Sequence, residues 1–183
     1  MRLDLFDKSS LDRGRPAWCE ALWLLGQALF VSSWIPGSVH RVGLLRAFGA
    51  RIGSGVVIKP RARVKFPWRL TIGNNVWIGE GVWIDNLADV SIGDHCCISQ
   101  GAYLCTGNHD WDSPSFKLVV GAITVGDQVW ICARAVVGPG VSVGTGSVLT
   151  VGGVAVEDLK PWWVYGGVPA QELKRRSGSP VAD

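Results

Sequence analysis

A chain of 183 residues is long enough for one domain with its own core, and 48% hydrophobic against 18% charged residues, with 24 glycines and 10 tryptophans, suits tight turns and much surface buried within or between subunits. The formal charge of +3, with no basic helix or stripe, argues against nucleic acid as a partner. Five cysteines without a Cys-x-x-Cys pair indicate neither a disulfide framework nor a zinc site, and with no secretory signal visible a reducing cytoplasm is the expected compartment.

From the N-terminus, Pro16 can open a helix reaching about Val31. A second helix fits Ser38 to Phe48, ended by Gly49. The stretch "WCEALWLLGQALFVSSWI", Trp18 to Ile35, is apolar but carries Glu20 and Gln27. Its uninterrupted part is short for a bilayer span, so a buried or membrane-surface helix is expected, and peripheral membrane contact through Trp18–Ile35 is a candidate property.

From residue 52 the chain repeats. Ile-Gly or Val-Gly recurs at Ile52, Ile72, Ile92, Val125 and Val143, with spacings of 20, 20, 33 and 18. Against a unit of 18 made of three hexads, these contain insertions of 2, 2 and 15 residues. With each Ile or Val as position one, Ile58, Val64, Ile78, Ile84, Ile98 and Leu104 continue an unbroken aliphatic series. Position five is small or β-branched, as at Val56, Ala62, Val76, Ala88, Cys96 and Ala135. Positions five and one share a face of a short strand. Positions three and four hold turn residues such as Asn74, Asn75, Pro139 and Gly140. Three strands and three turns make one triangular coil, and stacked coils make an all-β parallel β-helix of about five coils. A β-sandwich has no reason to keep an 18-residue period. The expected division is a helical cap over residues 1–51, repeats over 52–160, and a C-terminal segment over 161–183 with a short helix after Pro169 and a loose tail. The cap would cover the unpaired edge of the first coil.

The rhythm stops in "LCTGNHDWDSP". Position one after Leu104 should be residue 110, which is Asp110, and the next aliphatic position one is Val125. Residues 110–124 are therefore expected to leave the prism. His109 holds the last outward position before the break, with Asn108 where a small apolar residue belongs. Long loops on rigid scaffolds are disproportionately functional, and an imidazole can take a proton from a hydroxyl near neutrality. The other histidines read differently: His40 lies in the helical part and His95 at a turn. Trp77, Trp83, Tyr103 and Trp130 all occupy outward position six. Outward Trp77 and Trp83 suit a subunit interface, while Tyr103 and Trp111 are near enough to His109 in register or sequence to meet a ligand there. Cys96 and Cys132 read as small core fillers.

"IGNNVWIGEGVWI", "VGDQVWICARAVVGPGVSVG" and "YGGVPAQELKRR" resemble the hexapeptide-repeat acyltransferases, within them the maltose and galactoside O-acetyltransferase group. "RGRPAWCEALWLL", "FGARIG" and "YLCTGNHDWDSPSF" are similar, more narrowly, to colanic-acid-biosynthesis acetyltransferases, and the resemblance spans roughly residues 10–176. It implies left-handed coiling and a homotrimer with active sites between prisms. It also implies acetyl-CoA as co-substrate without metal, and His109 as the base that lets a sugar hydroxyl attack the thioester directly. Asn86 falls near the asparagine used beside that histidine, and Asp85, Asp110 and Asp112 compete to orient the base or meet substrate; Asn86 and Asp110 rank first. For the coenzyme, the matched motifs imply Trp130 beside the groove, backbone contacts at Ala133 and Val151, and Lys174 and Arg175 of the basic run as phosphate partners. Relatives often carry Lys or Arg after the last coil; here stands Val156-Glu157-Asp158.

The expected function is acetyl-CoA-dependent O-acetylation of a sugar or lipid-linked saccharide of a bacterial surface polysaccharide, in the cytoplasm or at the inner face of the membrane. The rivals are acetylation of an amino sugar, serine or xenobiotic, and a non-catalytic scaffold. A metal-dependent lyase of the same fold needs three converging histidines, and His109 has no two partners in the repeats.

Overall fold

A computed structural model describes residues 2–7 and 11–178. The hexads become strands of two or three residues, and three strands close one coil. Face one stacks Arg51–Ile52, Leu70–Ile72, Val90–Ile92, Ile123–Val125 and Ser142–Val143 in parallel. Face two stacks Val57–Ile58, Trp77–Ile78, Cys97–Ile98, Trp130–Ile131, Val148–Leu149 and Trp163–Gly166. Face three stacks Arg63–Val64, Trp83–Asp85, Tyr103–Cys105, Val136–Val137 and Val154–Ala155. Five complete coils result, and a partial sixth follows, in which Leu159 pairs with Val143. Every position-one residue from Ile58 to Leu149 is buried in the prism. Cys96 is a filler there, its thiol pushed up to about 11 by burial, and so unreactive.

The corner from face one to face two explains the Ile-Gly pairs. A Cβ on Gly53 would lie 2.7 Å from the Gly73 carbonyl oxygen, and one on Gly73 2.8 Å from the Gly93 carbonyl carbon. Stacked backbone leaves no room for a side chain. The following residue supplies a ladder: Asn74 Oδ1 accepts the Ser54 N–H at 2.9 Å, Asp94 Oδ1 the Asn74 N–H at 2.6 Å, and Asp127 Oδ1 the Asp94 N–H at 2.8 Å. These Asn and Asp residues hold one coil to the next through donors that the turn leaves unpaired.

The two-residue insertions lodge at the corner from face three to face one. Pro67–Arg69 forms a 3₁₀ turn there. In the next coil Val90 fills the inward slot, not Ala88, which is half-buried and donates its N–H to Thr106 Oγ1 at 3.0 Å. The third coil departs at this same corner. Gly107–His109 pairs antiparallel with Leu118–Val120, and Ile123 is already buried. The excursion is thus a hairpin that begins earlier than residue 110 and rejoins the prism before Val125.

Both ends of the solenoid are covered. Helix α1, Ala17–Gly26, continues as a π-helical turn over Gln27–Val31, and α2 spans Val39–Ala47, with Gly49 after it at φ +103°. Their side chains satisfy backbone groups that a preceding coil would otherwise meet. Trp23 Nε1 donates to Val64 O at 2.9 Å and Gln27 Oε1 accepts the Val64 N–H at 2.6 Å. Ser38 Oγ serves both Ile58 N and Ile58 O, and Arg46 donates to Ile52 O and Gly53 O. At the far end the short helix expected after Pro169 is absent: Gln171–Arg175 is a strand, antiparallel to Trp163–Gly166. The open edge of face two offers unpaired backbone groups, and pairing them outweighs the helix preference of "QELKRR". The end of the expected tail, residues 179–183, lies outside the described residues.

Candidate active site

The hairpin after face three stands over the corner formed by the next two coils. Between them lies a pocket of about 500 Å³, lined by Asn108, His109, Asp110, Trp111, Asp112 and Val119 from the hairpin and by Gly138, Pro139 and Val156 from the corner. His109 is held on three sides. Its Nδ1 lies 2.8 Å from Phe116 O. A carbonyl only accepts, so Nδ1 carries a proton, which in the neutral ring leaves the lone pair on Nε2. The Phe116 ring stacks on the imidazole with centroids 4.0 Å apart and planes 2° from parallel, and the Phe6 ring meets it edge-on at 5.5 Å. Phe116 itself sits at φ +50°, a left-handed conformation uncommon for an aromatic residue. That backbone turn is what points both its carbonyl and its ring at His109.

The group that meets His109 Nδ1 is therefore a backbone carbonyl. Asn86 lies in the same corner but is fully buried, and its amide is turned to the preceding coil: Oδ1 accepts the Phe66 N–H at 2.9 Å and Nδ2 donates to Phe66 O at 2.7 Å. It clamps one coil to the coil before, and no hydrogen bond runs from it to His109, beside which the sequence expectation places it. Asp110 does line the pocket, yet its Oδ1 accepts the N–H groups of Asp112 and Ser113 at 3.0 and 3.2 Å, building the loop turn. Trp111, 73% exposed, and Asp112 also line the pocket. Asp85 and Tyr103 do not line it; Tyr103 Oη donates to Asp85 Oδ2 at 3.0 Å and its ring stacks on Trp83 at 4.7 Å. Burial, with the Asp85 charge beside it, raises the Tyr103 hydroxyl well above its ordinary value, so it stays a neutral donor. Phe116 and Val119 escaped the sequence reading because a hairpin has no hexad register from which to find them; Pro139 and Val156 read there only as turn and end-of-coil residues, and Phe6 comes from the N-terminal segment, outside the repeats.

The residues expected at the coenzyme form a second surface. Trp130 points outward from face two, its Nε1 donating to Ser99 Oγ at 2.8 Å. Trp130 pairs with Val148, Val148 with Val164, and Val164 with Lys174, so Trp130 and Lys174 share one row, three strand spacings or about 14 Å apart. Ala133 and the exposed Val151 stack at the neighbouring corner, where Ala133 O accepts the Gly152 N–H at 3.0 Å. Arg175 does not join this row. It pairs with Trp163 and its guanidinium lies 5.7 Å from that ring, on the side opposite Lys174 because neighbouring strand residues alternate. The His109 corner joins faces three and one, so it lies across the prism from face two.

The sequence matches no protein-family model. It is 37% identical over 166 residues, 90% of this chain and 91% of the other, to the protein named colanic acid biosynthesis acetyltransferase WcaF from Escherichia coli. Over 137 residues, 73% of this chain and 68% of the other, it is 27% identical to the galactoside O-acetyltransferase of Escherichia coli. The fold is shared with a hexapeptide-repeat acetyltransferase from Vibrio cholerae complexed with acetyl coenzyme A, at a TM-score of 0.80 and 24% identity over 87% of each chain. Near-complete coverage at that first identity, on a coil built from the hexads themselves, establishes that the chain belongs to the hexapeptide-repeat acetyltransferase family and is an acyltransferase.

Proposed function

We propose that this protein transfers an acetyl group from acetyl-CoA to a hydroxyl of a sugar in surface or exopolysaccharide biosynthesis, with His109 as general base. The observation that carries the reading is the imidazole with Nδ1–H held by Phe116 O, leaving Nε2 basic within a pocket that also presents Trp111 and Asp112. An aromatic face and carboxylate acceptors suit a hydroxyl-rich ring. In the reaction Nε2 takes the hydroxyl proton as the alkoxide oxygen bonds to the thioester carbonyl carbon. The C–S bond then breaks, and the imidazolium returns the proton to the thiolate, giving ester and free coenzyme thiol. The row from Trp130 to Lys174 would hold the coenzyme, with Lys174 at its phosphates.

Base and row face opposite sides of one prism. We take them to meet across the seam between copies, in a homotrimer whose contacts include the outward Trp77 and Trp83. The acceptor is a free or lipid-linked saccharide, met in the cytoplasm or at the inner face of the membrane. The test is thiol release from acetyl-CoA against sugars, lipid-linked saccharides, amino sugars, serine and a xenobiotic alcohol. His109→Ala should lower turnover by roughly 10²- to 10⁴-fold with the oligomer intact. Unchanged turnover in that variant removes His109 from the chemistry, and a strong preference for an amine moves the acceptor to that class.

A further inference from the structure

The helix that caps the first coil is built inside out. Its polar side chains face the protein: Gln27 bonds the backbone of Val64, and Glu20, half-buried, is paired with Arg13. Its solvent side, from Trp18 through Leu22 and Leu25 to Leu29, carries no polar side chain. A surface helix of a globular protein normally shows the reverse. The loop after it extends the patch with Trp34, 66% exposed, and Ile35. That loop is fixed, because the buried Arg41 guanidinium donates to the carbonyls of Val31, Ser33, Ile35 and Gly37. Four carbonyls round one cation hold Trp34 and Ile35 outward.

Charge identifies what covers this face. Residues 11–69 carry ten Lys or Arg against two Asp or Glu, a net of +8 in a chain whose total is +3, so the remainder carries −5. Arg13, Arg15, Arg46, Arg51 and Arg61 are exposed within that region, and the Arg61 guanidinium lies 5.6 Å from the Trp34 ring. A second copy docking cap to cap would bring like charge against like. No helix among the described residues is long and apolar enough to cross a membrane. An apolar face bounded by Trp18 and Trp34, with Arg61 beside Trp34 and Arg13 and Arg15 just ahead of the helix, is the pattern of a helix lying in the interface of a negatively charged bilayer.

We propose that the outward face of α1 and its following turn, with Trp34 and Ile35, docks on an anionic phospholipid surface. The inference does not depend on the acceptor or on His109. The experiment is co-sedimentation of the full chain with vesicles of phosphatidylcholine containing about 30% phosphatidylglycerol, beside vesicles of phosphatidylcholine alone. Binding to the anionic vesicles is expected, at least about tenfold tighter than to the neutral ones and weakened by high salt. The double variant Leu25→Glu/Leu29→Glu should lose at least about tenfold in vesicle binding while keeping the thermal midpoint and elution volume of the parent. Both side chains already face solvent, so folding does not need them. Equal binding by parent and variant, or no preference for the anionic vesicles, overturns the proposal. So does self-association that the double variant abolishes in a protein that ignores vesicles, which would assign the face to a second copy.

Discussion

Asn86→Ala separates a structural clamp from a catalytic partner. Phe66 is fully buried, its N–H ends on Asn86 Oδ1 at 2.9 Å, and its carbonyl accepts both Asn86 Nδ2 at 2.7 Å and the Arg69 N–H at 3.0 Å. Truncation strands one buried donor, the Phe66 N–H, at about 1–3 kcal/mol, while the Phe66 carbonyl keeps the Arg69 N–H. A loss of about 2 kcal/mol at this chain length corresponds to about 4–8 °C in thermal midpoint. Turnover measured well below that midpoint should stay within about threefold of the parent, because no contact runs from Asn86 to the imidazole. Asn86→Asp should be worse at neutral pH, since an ionised oxygen would replace the donor facing Phe66 O, and it should recover as the pH falls and the carboxyl becomes a donor. The paired measurement is calorimetry with steady-state turnover. A fall in kcat of a hundredfold or more with an unmoved midpoint would refute the clamp and return Asn86 to the chemistry.

Phe116→Gly keeps the left-handed turn and its carbonyl but loses the stacked ring, whereas Phe116→Val sets a β-branched residue against that turn at about 1–3 kcal/mol. Turnover should fall further in the valine variant, by about tenfold or more, with the KM for acetyl-CoA unchanged in both. Asp94 is held below the ordinary carboxylate range, first by the Asn74 N–H and then by the Asn74 side chain. A depressed folded value means the stabilisation is present above the ordinary value and is lost as the pH drops through the depressed one. Acid titration of stability should therefore be shallower in Asp94→Asn than in the parent, read as urea midpoints from neutral pH downward. Lys174→Ala should raise the KM for acetyl-CoA by about tenfold, while Arg175→Ala, whose guanidinium lies over Trp163, should leave it unchanged and lower the thermal midpoint instead.

Periodicity made the prism readable because every coil imposes the same demand at the same step. Ile58, Ile78 and Leu104 face inward for one reason, and so repeat. Errors gathered where the period is interrupted. The insertions at the third corner shifted the inward slot from Ala88 to Val90. They also hid that Asn86 turns into the corner and bonds Phe66. His109 was visible because it stands at the break, but its partner was not, since a backbone carbonyl has no residue type and Phe116 has no turn signature. Local preference in "QELKRR" points to a helix, and the open sheet edge at Trp163–Gly166 overrides it. Lys174 and Arg175 looked equivalent in the sequence, and only strand alternation parts them.

A stacked repeat of this kind is a polymer whose length nothing inside the repeating unit determines. The two helices at one end and the antiparallel strand at the other act as chain stoppers, so growth halts where they bond and not where the hexads run out. Excising one eighteen-residue turn from the later part of the solenoid would leave both stoppers seated. It would also draw Lys174 nearer to Trp130 by one rung, about 4.8 Å. The span of that row is therefore an integer property of the chain, adjustable in whole rungs and in no finer step.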